Sequence, residues 1–452
     1  MTQLNQPSKE PAKARVEELG EISRPTVQSM SLPRPPPNPV SDLMDLVINR
    51  ESRYTTHSLI TSYLGIDDIR NVQLACRKTS DLYADLKKTQ WNINTCLQPF
   101  FKNIQKFRCV QAQTETLIGS KFAGNFFRRL QVKNELELFT QAGEKADALI
   151  SYLEKNGYVR DKDFSHDRVT FGASRSSLFT KTSPNDRSQV FITLRHCVHS
   201  PIDVFLKCCI TSSRACFISW NKAYYLFPTT SIRKRTSYLM IPMSQAESSP
   251  AIAAIKRDFE EGFIVKTGEW VVNPYGEASE SHPEFASART AGDNLSWVIK
   301  LDTTEITPAT APDSLLDDAQ FSMGATCISS IVSYLQFRYD VLASCALQHT
   351  YICHSRTHFV PGGGHRQDDY RDQMQYLEKL LNDQTSMQLT MLNRDDRPPQ
   401  YVRITSTRGS DHTAKGHFTV PPNWNYFDAE IQAELRKITK QLLATDASCL
   451  PK

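Results

Sequence analysis

The chain has 452 residues, of which 40% are hydrophobic and 23% charged, and its formal net charge is +4. These values are typical of a globular protein with room for several domains, and so small a charge on so long a chain gives no strong signal for nucleic-acid binding. No segment has the length and apolarity needed to cross a bilayer, and no signal-peptide core is present, so we expect a non-membrane protein of the cytoplasm or nucleus. Eleven cysteines without disulfide-type spacing fit reduced thiols in these compartments.

Residues 1–45 are rich in Pro, Ser, Gln, Lys and Glu and poor in aromatic residues. This composition is typical of a disordered tail. A proline-rich docking ligand is the alternative.

The next segment, residues 46–98, has apolar residues at helical spacing. One apolar face contains Leu59, Tyr63 and Leu64, Gly65 ends that helix, and Trp91 comes near the end of the pattern. The segment is therefore predicted to be a helical module.

The stretch 117–139 carries the residues with the clearest chemistry. An apolar pair leads into Gly119 and Ser120, a helical segment follows, and a short strand then carries Glu135 and Glu137. Alternate residues of a strand share a face, so both carboxylates should point to one side of a sheet. Such a pair beside a small-residue turn at a helix N-terminus can hold a divalent metal and a nucleoside triphosphate. Charges that discourage edge-strand pairing are the alternative.

This order of motifs resembles the nucleotidyltransferase superfamily of the polymerase-beta type. More closely, residues 54–300 resemble a group of fungal proteins that join an F-box-like segment to a degenerate nucleotidyltransferase-like domain. In an active domain the resemblance implies that Gly119 and Ser120 bind the nucleotide and that Glu135 and Glu137 bind Mg²⁺.

Three departures from the active pattern indicate an inactive site. Fourteen residues separate Ser120 from Glu135, slightly more than in active members. Active members usually have aspartates where this chain has Glu135 and Glu137, and they carry a third acid on a later strand. The corresponding strand at 190–194 has no acid, and Arg195 follows it. Asp203 comes next, at a position typical of the first turn of a helix. We therefore expect no cofactor, with Mg²⁺ required only if the domain is active.

The resemblance also implies a partner for the helical module. Residues 54–91 would bind the Skp-family adaptor of a cullin ubiquitin ligase through Leu59, Tyr63 and Leu64. A helical hairpin that only packs on the next domain is the alternative.

The remaining segment, 303–452, is predicted to be a loop-linked helical region. One predicted helix is marked by apolar residues at Ile328, Ile331, Val332, Tyr334 and Leu335. A second helical spacing places Cys345, His349 and Cys353 one turn apart, with His354 and His358 nearby. This Cys/His cluster could bind zinc, or its cysteines could be small buried side chains.

The predicted fold class is α+β: a helical F-box-like module (46–98), a nucleotidyltransferase-like mixed-sheet domain (99–302) and C-terminal helices. The leading functional hypothesis is a non-catalytic binding or adaptor protein that serves as a substrate receptor of a cullin ubiquitin ligase and contains a degenerate nucleotidyltransferase-like domain. The alternatives are a Mg²⁺-dependent transferase of nucleoside monophosphates and a scaffold with neither activity. The fold does not decide among these hypotheses, because one fold can carry either an active or an inactive site.

Overall fold

The structure, a computed structural model, describes residues 50–75, 79–132, 134–165, 173–182, 189–242, 249–271, 283–286, 288–328, 331–355, 364–393 and 424–448. The tail predicted at 1–45 lies outside this part. Helices and mixed sheets are both present, which confirms the α+β class. No helix in the described segments has the length and apolarity to cross a membrane.

The helices within the described residues follow in chain order. They are α1 (Arg50–Tyr63), α2 (Ile66–Ala75), α3 (Leu82–Thr89), α4 (Ile93–Leu97), α5 (Ile104–Gln113), α6 (Ser120–Phe127), α7 (Glu144–Lys155), α8 (Pro201–Lys207), α9 (Ser249–Glu260), α10 (Pro283–Ala286), α11 (Ser314–Asp317), α12 (Gly364–Met391) and α13 (Asp428–Ser448).

The strands are β1 (Leu117–Ile118), β2 (Glu135–Gln141), β3 (Val159–Ser165), β4 (Ala173–Thr182), β5 (Gln189–Cys197), β6 (Cys216–Ile218), β7 (Lys222–Tyr225), β8 (Thr236–Tyr238), β9 (Ile264–Lys266), β10 (Arg289–Thr290), β11 (Trp297–Lys300), β12 (Gln320–Ile328), β13 (Ile331–Leu342) and β14 (Tyr351–His354). Eight of them form one mixed sheet in the order β11-β7-β6-β1-β2-β5-β4-β3, in which β2 and β5 are parallel.

The predicted strand–helix–strand–helix unit at the centre of this sheet is confirmed by β1, α6, β2 and α7. Local sequence explains its boundaries. The buried face of α7 repeats at helical spacing, and Gly157 follows its end with a φ of 82°, a conformation that glycine adopts without a steric penalty. The expected strand at 190–194 and the helix that begins at Pro201 are present as β5 and α8.

The prediction of helices between Ile328 and Cys353 is wrong. The described residues of this segment up to Leu342 and from Tyr351 onward belong to strands of a four-stranded antiparallel sheet of order β10-β12-β13-β14, with a loop between them. From Leu335 to Val341, apolar side chains recur at every second residue of β13, a period that favours a strand. The helix prediction arose because a short apolar run also fits a helical spacing. Strand β12 supplies the pairing partner, with Ile328 opposite Ile331. Beyond residue 303 the chain therefore combines a sheet with the helices α11, α12 and α13.

A continuous core joins the two sheets. It includes side chains from both sheets, from α8 and α10 and from the segment after β7: Phe139, Phe205, Phe217, Phe227, Phe285, Phe321, Leu335 and Ile352. Residues Leu59–Lys452 form one compact unit, within which the predicted boundaries at 98/99 and 302/303 fall.

Trp91, between α3 and α4, packs on the edge strand β11 of the large sheet. The indole of Trp91 donates to the Phe127 carbonyl over 3.1 Å, and its ring meets that of Trp297 at 5.4 Å, edge to face. The guanidinium of Arg129 lies 5.1 Å from the Trp91 ring and donates to the carbonyls of Thr61 and Leu64. This arginine thereby links Thr61 and Leu64 to the segment that follows α6.

Candidate functional site

The two glutamates of the predicted metal site lie two residues apart on β2. Strand β5 runs beside them in parallel, with Thr193 opposite Glu137. Because side chains alternate along a strand, Glu135 and Glu137 lie on the same face. Both line an open groove of about 470 Å³. The structure thus brings the two carboxylates to one surface.

Each carboxylate in this groove is already paired with a cation of the same chain. The ammonium of Lys121, in the first turn of α6, donates to Glu135. The Nε of Arg195 donates to Oε1 of Glu137 over 2.6 Å. A Mg²⁺ ion needs an octahedral shell of oxygen ligands, and each of these ion pairs engages an oxygen that the metal would use. The arrangement stabilises negative charge without a metal.

Arg195 lies on β5, the strand on which the sequence resemblance predicted a third acid in an active domain. Its guanidinium lies 5.9 Å from the Phe139 ring. Burial disfavours its charge, but the attraction and hydrogen bond of the Glu137 carboxylate, together with the nearby Cys208 and Cys197, raise the pKa of Arg195 above its ordinary value. Among the described residues, no group of three or more His, Cys, Asp or Glu side chains is arranged to hold a metal ion.

Asp203, the next acid along the chain, is not among the residues that line the groove. It is fully buried at the start of α8, where it pairs with Lys207 over 2.8 Å and accepts a hydrogen bond from the Tyr339 hydroxyl over 3.0 Å. These contacts tie α8 to the second sheet.

Gly119 lies at the N-terminus of α6 and packs directly against β2. Its amide donates to the Glu137 carbonyl over 2.7 Å. A Cβ at this position would lie 2.7 Å from a ring carbon of Phe139 and 2.9 Å from Oε2 of Glu137, closer than real contacts allow. Glycine is therefore required at residue 119 because a larger side chain would not fit, and not because of its backbone φ angle. The backbone of Ser120 begins α6, and its side chain lies outside the described part of the structure.

The other wall of the groove is formed by α8, α9 and the loop after α8. A second cavity of about 190 Å³ opens here, and it shares Lys121, Glu137, Arg195 and Arg257 with the first. Cys208 also lines it, and burial raises the pKa of this thiol to about 11. The thiol is therefore neutral near pH 7 and a poor nucleophile.

Sequence reasoning missed two residues of this groove, Lys121 and Arg257. Lys121 directly follows the predicted Gly119-Ser120 turn and lies in the first turn of α6, so its position near the carboxylates could have been inferred from the sequence. Arg257 lies 120 residues beyond Glu137, and no local pattern connects it to the groove.

The residues predicted to bind the adaptor do not all face the same way. Leu59 and Tyr63, one helical turn apart on α1, are 57% and 82% exposed, and Leu74 on α2 is 78% exposed. Leu64 is only half-buried, and its carbonyl accepts from Arg129. The outward apolar set is therefore Leu59, Tyr63 and Leu74.

The Cys/His cluster does not lie on a helix. Cys345 and His349 are in the loop before β14, and Cys353 and His354 are buried neighbours within β14. Successive residues of a strand point to opposite faces, so Cys353 and His354 diverge. His358 lies outside the described residues.

His196, which follows Arg195 in β5, gives the protein a testable pH dependence. Burial and then the charge of Arg175 lower the pKa of His196 from 6.5 to about 4, and its Nε2 lies 2.9 Å from the Ser177 hydroxyl. In the unfolded chain this histidine gains its proton near pH 6.5. We expect up to about 3 kcal/mol of stability to be present above pH 6.5 and lost as the pH falls to 4.

Urea unfolding of the wild type and of His196→Gln between pH 4 and 8 measures this effect. The variant should be less stable at pH 7 and should show a flatter slope between pH 4 and 6.5. Equal slopes in the two proteins would assign the acid sensitivity to other groups.

Neither the scan of protein-family models nor the search of curated proteins gave a match to this chain.

Proposed function

We propose that the chain is a non-catalytic binding protein. In this proposal α1 and α2 bind the Skp-family adaptor of a cullin ubiquitin ligase, and the groove on the large sheet is a ligand site. The observation that carries the proposal is the exposure of three large apolar side chains, Leu59, Tyr63 and Leu74, on two successive helices.

Exposed apolar side chains on adjacent helices are a feature of protein-binding surfaces. Isolated exposed leucines are common, but an exposed group that includes an aromatic residue is a candidate anchor for a partner. The contacts of Arg129 with Thr61 and Leu64 support this assignment, because they fix the end of α1 while leaving Leu59 and Tyr63 in solvent.

Substituting the outward residues should weaken adaptor binding. We expect Leu59→Glu and Tyr63→Glu each to raise the Kd for a purified Skp-family adaptor about 30-fold, corresponding to about 2 kcal/mol for an anchor residue. The measurement is biolayer interferometry with the full chain. Tyr376→Glu is the matched control, since Tyr376 is 62% exposed on α12 and should leave the Kd unchanged.

No binding by the wild type, or equal losses in Tyr63→Glu and Tyr376→Glu, would overturn the adaptor assignment. The chain would then fit the hypothesis of a scaffold with neither activity.

The non-catalytic part of the proposal is supported by the two ion pairs in the groove. Glu135 and Glu137 are each engaged by a cation, and Arg195 occupies the strand expected to carry a third acid. A Mg²⁺-dependent nucleotidyltransferase is the second candidate, favoured by the position of both glutamates on one groove. Binding of ATP or GTP that requires Mg²⁺ and is lost in the double variant Glu135→Ala/Glu137→Ala would favour that candidate.

A further inference from the structure

The groove on the large sheet contains more positive than negative side chains. Lys121 and Arg195 are balanced by Glu135 and Glu137, which they bind. Arg257 lines both cavities as well, and within the described residues it has no acidic partner. The groove therefore carries one cation in excess of its ion pairs.

Two guanidinium groups present unused donors to this groove. Arg195 binds Glu137 through Nε, and Arg257 donates from Nε to the Ala253 carbonyl over 3.0 Å. Among the described residues, no protein group accepts from the terminal nitrogens of either arginine. Each arginine thus makes one side-chain hydrogen bond, through Nε, while its two terminal nitrogens remain available, the geometry that suits a tetrahedral oxyanion.

We propose that this groove binds a phosphate-type oxyanion directly, without a divalent metal, through Arg195, Arg257 and Lys121. The inference deepens the ligand-site part of the proposed function and names the chemical class of the ligand. Apolar side chains beside the cations, including Leu178, Phe191 and Phe205, provide a surface for the rest of a phosphorylated molecule. A combined volume of several hundred Å³ is of the size found in small-molecule sites.

The anion site and a metal site respond in opposite directions to one substitution. Glu137 repels a bound anion and occupies Arg195 Nε, so Glu137→Gln should strengthen binding of a phosphate-type anion. In a metal site Glu137 is a ligand, and the same substitution would remove Mg²⁺-dependent binding. The sign of the change therefore distinguishes the two.

The experiment is isothermal titration of the full chain with inorganic pyrophosphate in EDTA. We expect Arg257→Gln to weaken binding about tenfold, because it removes a charge-assisted, two-pronged contact. Lys256→Gln is the matched control: it removes the same charge from the adjacent, exposed residue of α9, which is not part of the groove, and should bind like the wild type. Glu137→Gln should bind more tightly than the wild type.

Three results would overturn the proposal: no binding by the wild type, equal binding by Arg257→Gln and Lys256→Gln, or binding that appears only with Mg²⁺ and disappears in Glu137→Gln. Thermal unfolding of each variant shows whether it is folded. If Arg257→Gln fails to fold, the direction of the Glu137→Gln effect still decides the question. Adaptor binding by the wild type is a separate measurement. Failure of the anion site would therefore not affect the test of the adaptor assignment.

Discussion

Asp258→Ala is expected to lower the free energy of unfolding by about 3–5 kcal/mol, the usual cost of breaking a buried ion pair from one side. Asp258 is fully buried in α9, and its Oδ1 binds Nε of Arg214 over 2.9 Å. Its Oδ2 accepts hydrogen bonds from the hydroxyls of Thr211, Ser213 and Ser237 at 2.6–2.8 Å. Alanine would leave these buried donors without their acceptor.

The substitution Asp258→Ala would also affect the groove, because Arg214 lines its second cavity. Without Asp258, this largely buried arginine would keep one acidic partner among the described residues, Glu261, at 2.9 Å. Urea unfolding followed by circular dichroism measures the effect. Glu260→Ala is the control: this exposed acid is two residues away on the same helix and should change stability by less than about 0.5 kcal/mol. A cost below 1 kcal/mol for Asp258→Ala would show that the buried network contributes little.

Ending the chain after residue 302 is expected to abolish cooperative folding. The predicted domain boundary lies there, yet the side chains on its two sides share one core. Phe227 packs 5.8 Å from Phe337 and 6.4 Å from Phe321, measured between ring centroids. Strand β10 also pairs with β12, with Arg289 opposite Phe321. The shortened chain would expose this apolar surface and lose the pairing partner of β10.

Scanning calorimetry measures this result. The shortened chain should show no sharp unfolding transition, whereas a control chain that ends at residue 448 should unfold like the full protein. A cooperative transition in the chain ending at 302 would establish an independently folding domain and would support the predicted boundary.

The part of the fold that the sequence predicted well is governed by local physics. The unit β1-α6-β2-α7 follows from alternation in the strands, from helical spacing and from the glycine at residue 157. Likewise, Pro201 at the first position of α8 predicted where that helix begins. The expectation that Glu135 and Glu137 share a face rests on the same alternation. Each of these features depends on residues within about ten positions of one another.

Other properties of the fold and of the groove were decided only by the tertiary structure. Whether residues 328–353 form helices or strands depended on a partner, because a short apolar run fits both until β12 pairs with β13. The state of the two glutamates depended on Lys121 and Arg195, which parallel pairing of β2 with β5 and the docking of α6 bring within contact. Arg257 enters the groove from a helix more than a hundred residues away. The sequence determined which residues share a strand face or a helix turn, but only long-range packing determined the charge of the groove, because electrostatic pairing depends on distance in space.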